Sequence, residues 1–186
     1  MRVLLTGFEP FGEHRVNPSA LLAERLGGVV LPVSTERMPG ALAAAVDHER
    51  PEVVLGLGLA VLRTQVAVER VAINCLDFTL PDNDGVLADG DEIVAGGPAA
   101  YFATVPVRAI AAAWQAEEVP SYLSNTAGTY ICNQMLYTAL RLGAERGFRA
   151  GFIHVPPLDH VDLDRQLRAV ELALAVVEGR LHPVAV

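Results

Sequence analysis

The sequence contains no lysine, because all 14 of its basic residues are arginine. This absence excludes enzymes that form a Schiff base through lysine and nucleotide hydrolases that hold phosphate with the lysine of a glycine-rich loop. The 22 acidic residues leave a formal net charge of -8. We therefore expect no basic surface for nucleic acid.

Long apolar segments and paired cysteine motifs are also missing. No apolar run approaches the roughly 18 residues of a membrane-spanning helix, and the first residues lack the pattern of a secretory signal. We therefore expect a cytoplasmic protein with no membrane contact. The only two cysteines, Cys75 and Cys132, lie far apart and lack C-x-x-C spacing. They are predicted to be thiols that form neither a disulfide nor a zinc site.

The sequence does contain a regular alternation of short apolar runs with segments of helical period. The strand candidates are residues 2–7, 29–34, 53–59, 66–74, 121–125 and 151–156. The helix candidates begin at Asn17 and Pro18, at Pro39, at Pro106, near Tyr130 and near residue 161, and the fourth ends near Leu142. This alternation predicts an α/β fold with a largely parallel sheet.

Two further features concern the organisation of the chain. The segment 80–101 is rich in Asp, Gly and Pro, and it predicts a long loop or a hairpin. No linker or internal repeat divides the 186 residues, of which 52% are apolar. We expect residues 1–186 to form a single domain.

Cys132 follows the strand candidate 121–125 by a short turn of small residues and lies at the start of a predicted helix. Ligands of α/β sheets bind at the carboxyl ends of strands. The free N–H groups of a helix start favour an anion, and a nearby imidazolium lowers the pKa of a thiol further. We therefore expect a thiolate at Cys132. The alternative is a small buried cysteine that fills space in the helix.

His154 reaches the end of the apolar segment 151–156, where two prolines stop the strand. It is the only histidine at a predicted strand end, so it is the candidate for the base that a cysteine nucleophile requires. A core histidine bonded to a backbone carbonyl is the alternative. The histidines predicted to lie at the surface are His14, His48, His160 and His182.

Glu69 stands in the apolar segment 66–74, where a buried carboxylate needs a partner. One interpretation is an ion pair with Arg63 or Arg70, or an exposed position on an edge strand. The other is a carboxylate that holds an imidazole in its useful tautomer, as the third member of a nucleophilic triad. The strand pattern does not distinguish them. Cys75 has no turn or cap beside it and is interpreted as a packing residue.

Six segments along the chain carry a resemblance to a known family. They are LLTGFEPFG with NPS (4–12 and 17–19), ERVAIN (69–74), PDNDG (81–85), YFATVPV (101–107), SNTAGTYICN (124–133) and GFIHVP (151–156). In this order and spacing they resemble the pyroglutamyl peptidase I family, also called pyrrolidone carboxyl peptidases.

The resemblance implies a cysteine exopeptidase that removes an N-terminal pyroglutamyl residue from peptides through a thioester acyl-enzyme. It implies that Cys132 is the nucleophile, His154 its base and Glu69 the residue that orients the histidine. The positions that surround the substrate ring in the family correspond to Phe8, Phe11, Asn17 and Tyr130.

The resemblance also implies a compact three-layer α/β/α sandwich with a mostly parallel, mixed central sheet. It implies no metal or cofactor, and assembly into homodimers or homotetramers. The chain departs from the family pattern at Thr79, where relatives carry an arginine near the site, and in the shorter segment that follows His154. These departures concern loop conformation, substrate affinity and the subunit interface.

Two other hypotheses stay open at this point. The first is a homologue that binds pyroglutamyl peptides without hydrolysing them, which the departures from the family pattern suggest. The second is a nucleoside or phosphate enzyme of similar layering, because a fold does not fix a function. The missing lysine, the acidic charge and the lack of a phosphate-cradling glycine pattern disfavour this second hypothesis.

Overall fold

The computed structural model describes residues 1–182, so residues 183–186 of the expected domain lie outside the described residues. The elements in chain order are β1 (Val3–Phe8), α1 (Pro18–Arg25), β2 (Val29–Leu31), α2 (Arg37–Glu49), β3 (Val53–Leu59), β4 (Val66–Glu69), β5 (Val71–Ile73), β6 (Leu76–Phe78), β7 (Ala88–Asp91), β8 (Ala100–Phe102), α3 (Val107–Ala116), β9 (Ser121–Ser124), α4 (Ile131–Arg146), β10 (Arg149–Val155) and α5 (Leu163–Val177). Strands and helices alternate over most of the chain, as the apolar pattern predicts.

Six strands form the central sheet in the order β2-β1-β3-β10-β4-β9. Strands β2, β1, β3 and β10 run parallel to one another, whereas β4 is antiparallel to β10 and parallel to β9. The sheet is therefore mostly parallel but mixed, which confirms the expected fold class. Strand β3 is buried along its whole length, as expected for a parallel strand with both faces covered.

Helices cover both faces of this sheet. Helix α5 contacts both α1 and α3 on one face, where Leu22, Trp114 and Val170 share a core. Helices α2 and α4 cover the other face, with Leu42 and Met135 in a second core. The result is the expected three-layer sandwich. Among residues 1–182, no helix has the length and apolar character to cross a membrane.

The predicted strand 66–74 is wrong as a single element. Strand β4 ends at Glu69, and β5 begins at Val71 and pairs with β8 in a separate two-stranded sheet. The N–H group of Arg70 still donates to the Ser124 carbonyl, whereas its own carbonyl accepts from Ala103 in the second sheet. Because the apolar pattern continues through this bend, periodicity alone does not reveal it.

The hairpin in the segment 80–101 follows from a recognisable sequence signal. The segment 80–101 contains β7, which forms an antiparallel hairpin with β6 as predicted. Asp82 stabilises the turn of that hairpin, since its carboxylate accepts from the N–H groups of Asp84 and Val86. Cys75 lies between β5 and β6, partly buried, and not within a strand as the pattern suggested.

The helix boundaries follow the predicted caps, with two corrections. Asn17 caps α1, because its side chain accepts from the N–H group of Ser19. Helix α2 begins at Arg37, two residues before the predicted start at Pro39. Helix α4 runs on to Arg146, past the predicted end near Leu142, and stops where Gly147 adopts a φ of 82°.

Gly7 of β1 generates a stability prediction, because a Cβ atom there would lie 2.1 Å from the Ser19 carbonyl oxygen of α1. We expect Gly7→Ala to lower the free energy of unfolding by about 1 to 3 kcal/mol, because the helix would have to move. Gly40 of α2 is the matched control, since a Cβ atom there would meet nothing within 4 Å. We expect Gly40→Ala to raise the free energy of unfolding by about 0.5 to 1 kcal/mol. Urea denaturation measures both, and equal effects would contradict the close contact.

Candidate active site

A cleft of about 250 Å³ opens at the carboxyl ends of β1 and β3, beside the start of α4. This is the edge at which ligands of α/β sheets bind. The cleft is lined by Phe8, Phe11, Asn17, Val33, Leu59, Tyr130, Ile131 and Cys132. All four residues expected to surround the substrate ring therefore meet at one place, together with the candidate nucleophile.

Cys132 is the second residue of α4, directly over the central sheet. A Cβ atom added to Gly58 of β3 would lie 2.6 Å from its sulfur. The Tyr130 side chain at the N-cap of α4 makes no hydrogen bond to the helix start. The first N–H groups of a helix have no partner within the helix, so backbone donors are available beside the sulfur.

His154 lies next to this position on the neighbouring strand. In the register of β10 it is paired with Gly58 on one side and with Ala67 of β4 on the other. Its ring is 4.9 Å from the Phe152 ring, which also contacts the Gly58 position, so the imidazole lies on the same face as the sulfur. The side chain is buried, with 5% exposure.

Glu69 completes the cluster from β4. Its carboxylate is fully buried, and Oε1 accepts from His154 Nδ1 at 2.7 Å and from Arg63 Nη1 at 2.5 Å. Because β4 lies between β10 and β9, the edge-strand alternative is wrong. The ion pair with Arg63 and the contact to the imidazole are both present, at the same oxygen atom. The bond to Nδ1 places the remaining ring nitrogen, Nε2, on the other side of the ring.

The charges of this cluster differ from those of free side chains. Burial acts to raise the pKa of the Glu69 carboxyl, but the hydrogen bond and charge of His154, with the charge of Arg63, hold that pKa below its ordinary value. Burial lowers the pKa of His154, although Glu69 opposes this effect. At neutral pH the carboxylate is therefore ionised and the imidazole is available as a base.

The environment of the Cys132 sulfur acts against the ionisation that the helix start favours. Burial raises the pKa of the Cys132 thiol to about 12, and the charge of Glu69 acts in the same direction while Arg63 opposes it. The helix start does not outweigh the loss of water around the sulfur. The two pKa directions, upward for the Cys132 thiol and downward for His154, both favour the uncharged forms of this pair.

The aromatic ring of Tyr130, in the wall of the cleft, is held in place by contacts with neighbouring residues. The Tyr130 ring packs against Phe11 at 6.0 Å and against Phe78 at 4.7 Å, and its hydroxyl donates to the Pro81 carbonyl. Burial raises the pKa of Tyr130 to about 12, so the hydroxyl stays protonated.

Of the histidines predicted at the surface, His14 is partly buried beside Phe11.

The other three histidines predicted at the surface are exposed, namely His48, His160 and His182.

Asn17 lines the cleft, but both ends of its amide are already occupied. Its oxygen accepts from the backbone and hydroxyl of Ser19, and its nitrogen donates to the Glu9 carbonyl. The Glu9 carboxylate in turn accepts from the Val33 N–H group and from the Asn83 side chain. These bonds join the loops that form the rim of the cleft and fix the position of Asn17 in its wall.

Sequence reasoning missed several residues of the site. Val33, Leu59 and Ile131 complete the cleft but carry no signal beyond being apolar. Thr126, in the turn before Cys132, accepts from the guanidinium of Arg63. The quoted motifs marked this turn but gave no indication of that contact.

Thr79 and the short segment that follows His154, where the chain departs from the family pattern, are not among the residues that line the cleft. Thr79 is exposed at the end of β6. The short segment that follows His154 is held by α5, since the Gln166 amide donates to the carbonyl groups of Pro156 and Val161. The short segment is therefore fixed by hydrogen bonds beneath the site.

The raised pKa of Cys132 predicts how its alkylation depends on pH. Below its pKa, the thiolate fraction of a thiol rises about tenfold per pH unit, so we expect the rate of reaction with iodoacetamide to keep rising from pH 6 to 9.5. Mass spectrometry of the Cys75→Ala variant isolates the reaction at Cys132. A rate that is flat over this range would reveal a preformed thiolate and contradict the prediction.

Comparisons with known proteins identify the family of this chain. The model of the pyroglutamyl peptidase family matches residues 1–178. The pyrrolidone-carboxylate peptidase of Deinococcus radiodurans is 44% identical over 96% of this chain and 94% of the relative. That of Thermococcus onnurineus is 40% identical over 95% and 94%.

Solved structures give the same result for the fold. The pyrrolidone carboxyl peptidase of Thermococcus litoralis superposes with a TM-score of 0.92 at 35% identity, covering 100% of this chain and 99% of that one. That of Pyrococcus furiosus has a TM-score of 0.92 at 34% identity, covering 97% and 99%. On sequence and fold together, this chain belongs to the pyroglutamyl peptidase family.

Proposed function

We propose that this chain hydrolyses the amide bond that follows an N-terminal pyroglutamyl residue, with Cys132 as nucleophile, His154 as base and Glu69 as the group that orients the histidine. The observation that carries the proposal is the placement of a sulfur, an imidazole and a buried carboxylate on one face of the sheet, at an apolar cleft. The activity follows from membership of the family.

The reaction begins with a neutral thiol and a neutral imidazole. As the Cys132 sulfur attacks the pyroglutamyl carbonyl, its proton moves to His154, and the ionised Glu69 stabilises the imidazolium through Nδ1. His154 then gives this proton to the leaving amine as the C–N bond breaks, which leaves a thioester. A water molecule, deprotonated by His154, hydrolyses the thioester and releases pyroglutamate and the thiol.

The start of α4 supplies the stabilisation of the negative oxygen that forms during attack. The N–H groups at a helix start have no partner within the helix, and the Tyr130 side chain does not cap them. One such donor contributes about 3 kcal/mol to the transition state of an acyl transfer. The positive end of the helix dipole acts in the same direction.

The chemistry of the cleft accounts for selectivity. Phe8 is buried, and Phe11, Leu59 and Tyr130 add apolar walls beside it. A pyroglutamyl ring is a lactam without charge, so it enters such a cleft at little cost. An ordinary N-terminal ammonium would lose its hydration without gaining a partner, which costs several kcal/mol.

We also propose that residues 1–186 act as one catalytic domain, in the cytoplasm, as a homodimer or homotetramer. Two unpaired cysteines fit a reducing compartment. Large apolar side chains such as Leu62 and Phe102 are 98% and 69% exposed, which suits burial against another copy. Analytical ultracentrifugation measures the number of subunits.

Replacing the nucleophile tests the proposed function. We expect Cys132→Ala to lower the release of 7-amino-4-methylcoumarin from its pyroglutamyl amide by at least about 10⁴-fold, because no acyl-enzyme can form. Cys75→Ala is the matched control and should keep kcat within about twofold, since Cys75 lies outside the cleft. Turnover by Cys132→Ala would refute the proposal. Binding without turnover by the wild type would favour the non-hydrolytic homologue, which family membership does not favour.

A change in the substrate tests the origin of the selectivity. The prolyl amide of the same fluorophore has a similar ring but carries an ammonium group in place of the lactam. We expect its kcat/KM to be at least about 100-fold lower, because burying an unpaired charge costs several kcal/mol and each 1.4 kcal/mol is tenfold. Similar kcat/KM values for the two amides would show that the cleft does not exclude charge.

A further inference from the structure

Arg63 lies in the loop between β3 and β4, and its side chain reaches back into the site with only 20% exposure. One Nη atom donates to Glu69 Oε1 at 2.5 Å, and the other donates to the Thr126 carbonyl at 2.8 Å. The guanidinium also lies 5.7 Å from the centre of the Tyr122 ring. This partly buried arginine therefore links strand β4 to the turn before α4 and packs against strand β9.

The buried carboxylate depends strongly on this arginine. Glu69 Oε1 holds both His154 and Arg63, whereas Oε2 is buried without a hydrogen-bond partner among residues 1–182. The direction of the carboxylate is therefore set at one oxygen, by two donors. Without Arg63, a fully buried carboxylate would keep one donor and lose its permanent positive neighbour, which a buried charge tolerates poorly.

The hydrogen bond from Arg63 to the Thr126 carbonyl links the carboxylate to a second part of the site. Thr126 lies in the turn between β9 and α4, six residues before Cys132. Arg63 thereby connects the strand that carries the acid to the turn that leads to the nucleophile. A planar guanidinium can donate to two acceptors in fixed directions, which the single ammonium of lysine cannot reproduce.

We propose that Arg63 is a positioning residue for the hydrolysis: it holds Glu69 Oε1 against Nδ1 of His154 and ties that carboxylate to the turn before Cys132. It acts through Glu69 and does not touch the substrate. The inference rests on the proposed function, because it assumes that His154 is the base of the reaction. It adds a fourth side chain to the three that the family resemblance implies.

A double-mutant cycle tests the inference, with Arg63→Gln, Glu69→Gln and the double variant assayed on the pyroglutamyl fluorogenic amide. We expect Arg63→Gln to lower kcat by about 10- to 100-fold with KM within about twofold, because it disturbs the base and not the cleft. In the Glu69→Gln background the same change should lower kcat by less than about twofold, since the two residues act as a unit. Arg146→Gln, which removes a surface ion pair with Asp47, is the control and should leave kcat unchanged.

The pH profile gives a readout that a structural role would not move. Without the positive charge of Arg63, the carboxylate of Glu69 and the imidazole of His154 both protonate at higher pH. We therefore expect the acid limb of kcat/KM for Arg63→Gln to move to higher pH. We also expect the His154 titration, followed by ¹⁵N NMR of the ring, to move upward by at least about half a pH unit.

Several results would overturn the inference. One is a kcat for Arg63→Gln within twofold of wild type. Another is a double variant whose loss of kcat equals the product of the losses of the two single variants. The third is a raised KM for Arg63→Gln with an unchanged kcat. If Arg63→Gln does not fold, Arg63→Lys decides, because it keeps the charge but not the two-acceptor geometry: a three- to tenfold loss of kcat with KM within about twofold supports the role, and wild-type behaviour refutes it.

The outcomes separate this inference from the proposed function. Failure of the proposed function appears as a wild-type protein without turnover, or as an active Cys132→Ala variant. In that case the NMR titration still decides the present inference, because it requires no substrate. An unchanged His154 titration in Arg63→Gln would overturn it whatever the activity of the protein.

Discussion

The hydrogen bond between the buried Glu69 carboxylate and His154 is the interaction on which the rest of the site depends. A charged carboxylate without exposure exists there only because two donors meet at one of its oxygens, at 2.7 and 2.5 Å. That bond orients the ring, selects the tautomer and keeps the imidazole free to accept a proton. The proposed chemistry of Cys132 therefore depends on strand β4, which carries Glu69, as much as on helix α4, which carries the cysteine.

The mixed topology of the sheet explains why these groups can meet. His154 lies on β10, the last of the four neighbouring parallel strands. Strand β4 lies beside β10 and runs in the opposite direction, and it carries Glu69. Gly58 leaves room on the other side of the histidine, because any larger residue would occupy the place of the Cys132 sulfur. The site thus requires a charged side chain at Glu69 and no side chain at Gly58, on the two strands that flank β10.

Much of this arrangement could be predicted from residue pattern. The caps at Asn17 and Pro106, the buried strand 53–59 and the positions of Cys132 and His154 at element ends all follow from local rules. The break at Arg70 could not be predicted, since an alternating pattern is the same on both sides of a bend. The desolvation that raises the pKa of the Cys132 thiol could not be predicted either, because the helix start is a local feature while the burial comes from distant segments.

The amino-acid sequence by itself determined the class of fold, the family and the side chains available for chemistry, since these depend on local periodicity and on motifs in order. Only the tertiary structure decided which partners the buried Glu69 has and that Arg63 reaches both this carboxylate and Thr126. It also decided how far the Cys132 sulfur is buried, which raises the pKa of its thiol. The physical reason is that hydrogen-bond geometry and desolvation depend on groups distant in the chain, and no short window of sequence contains them.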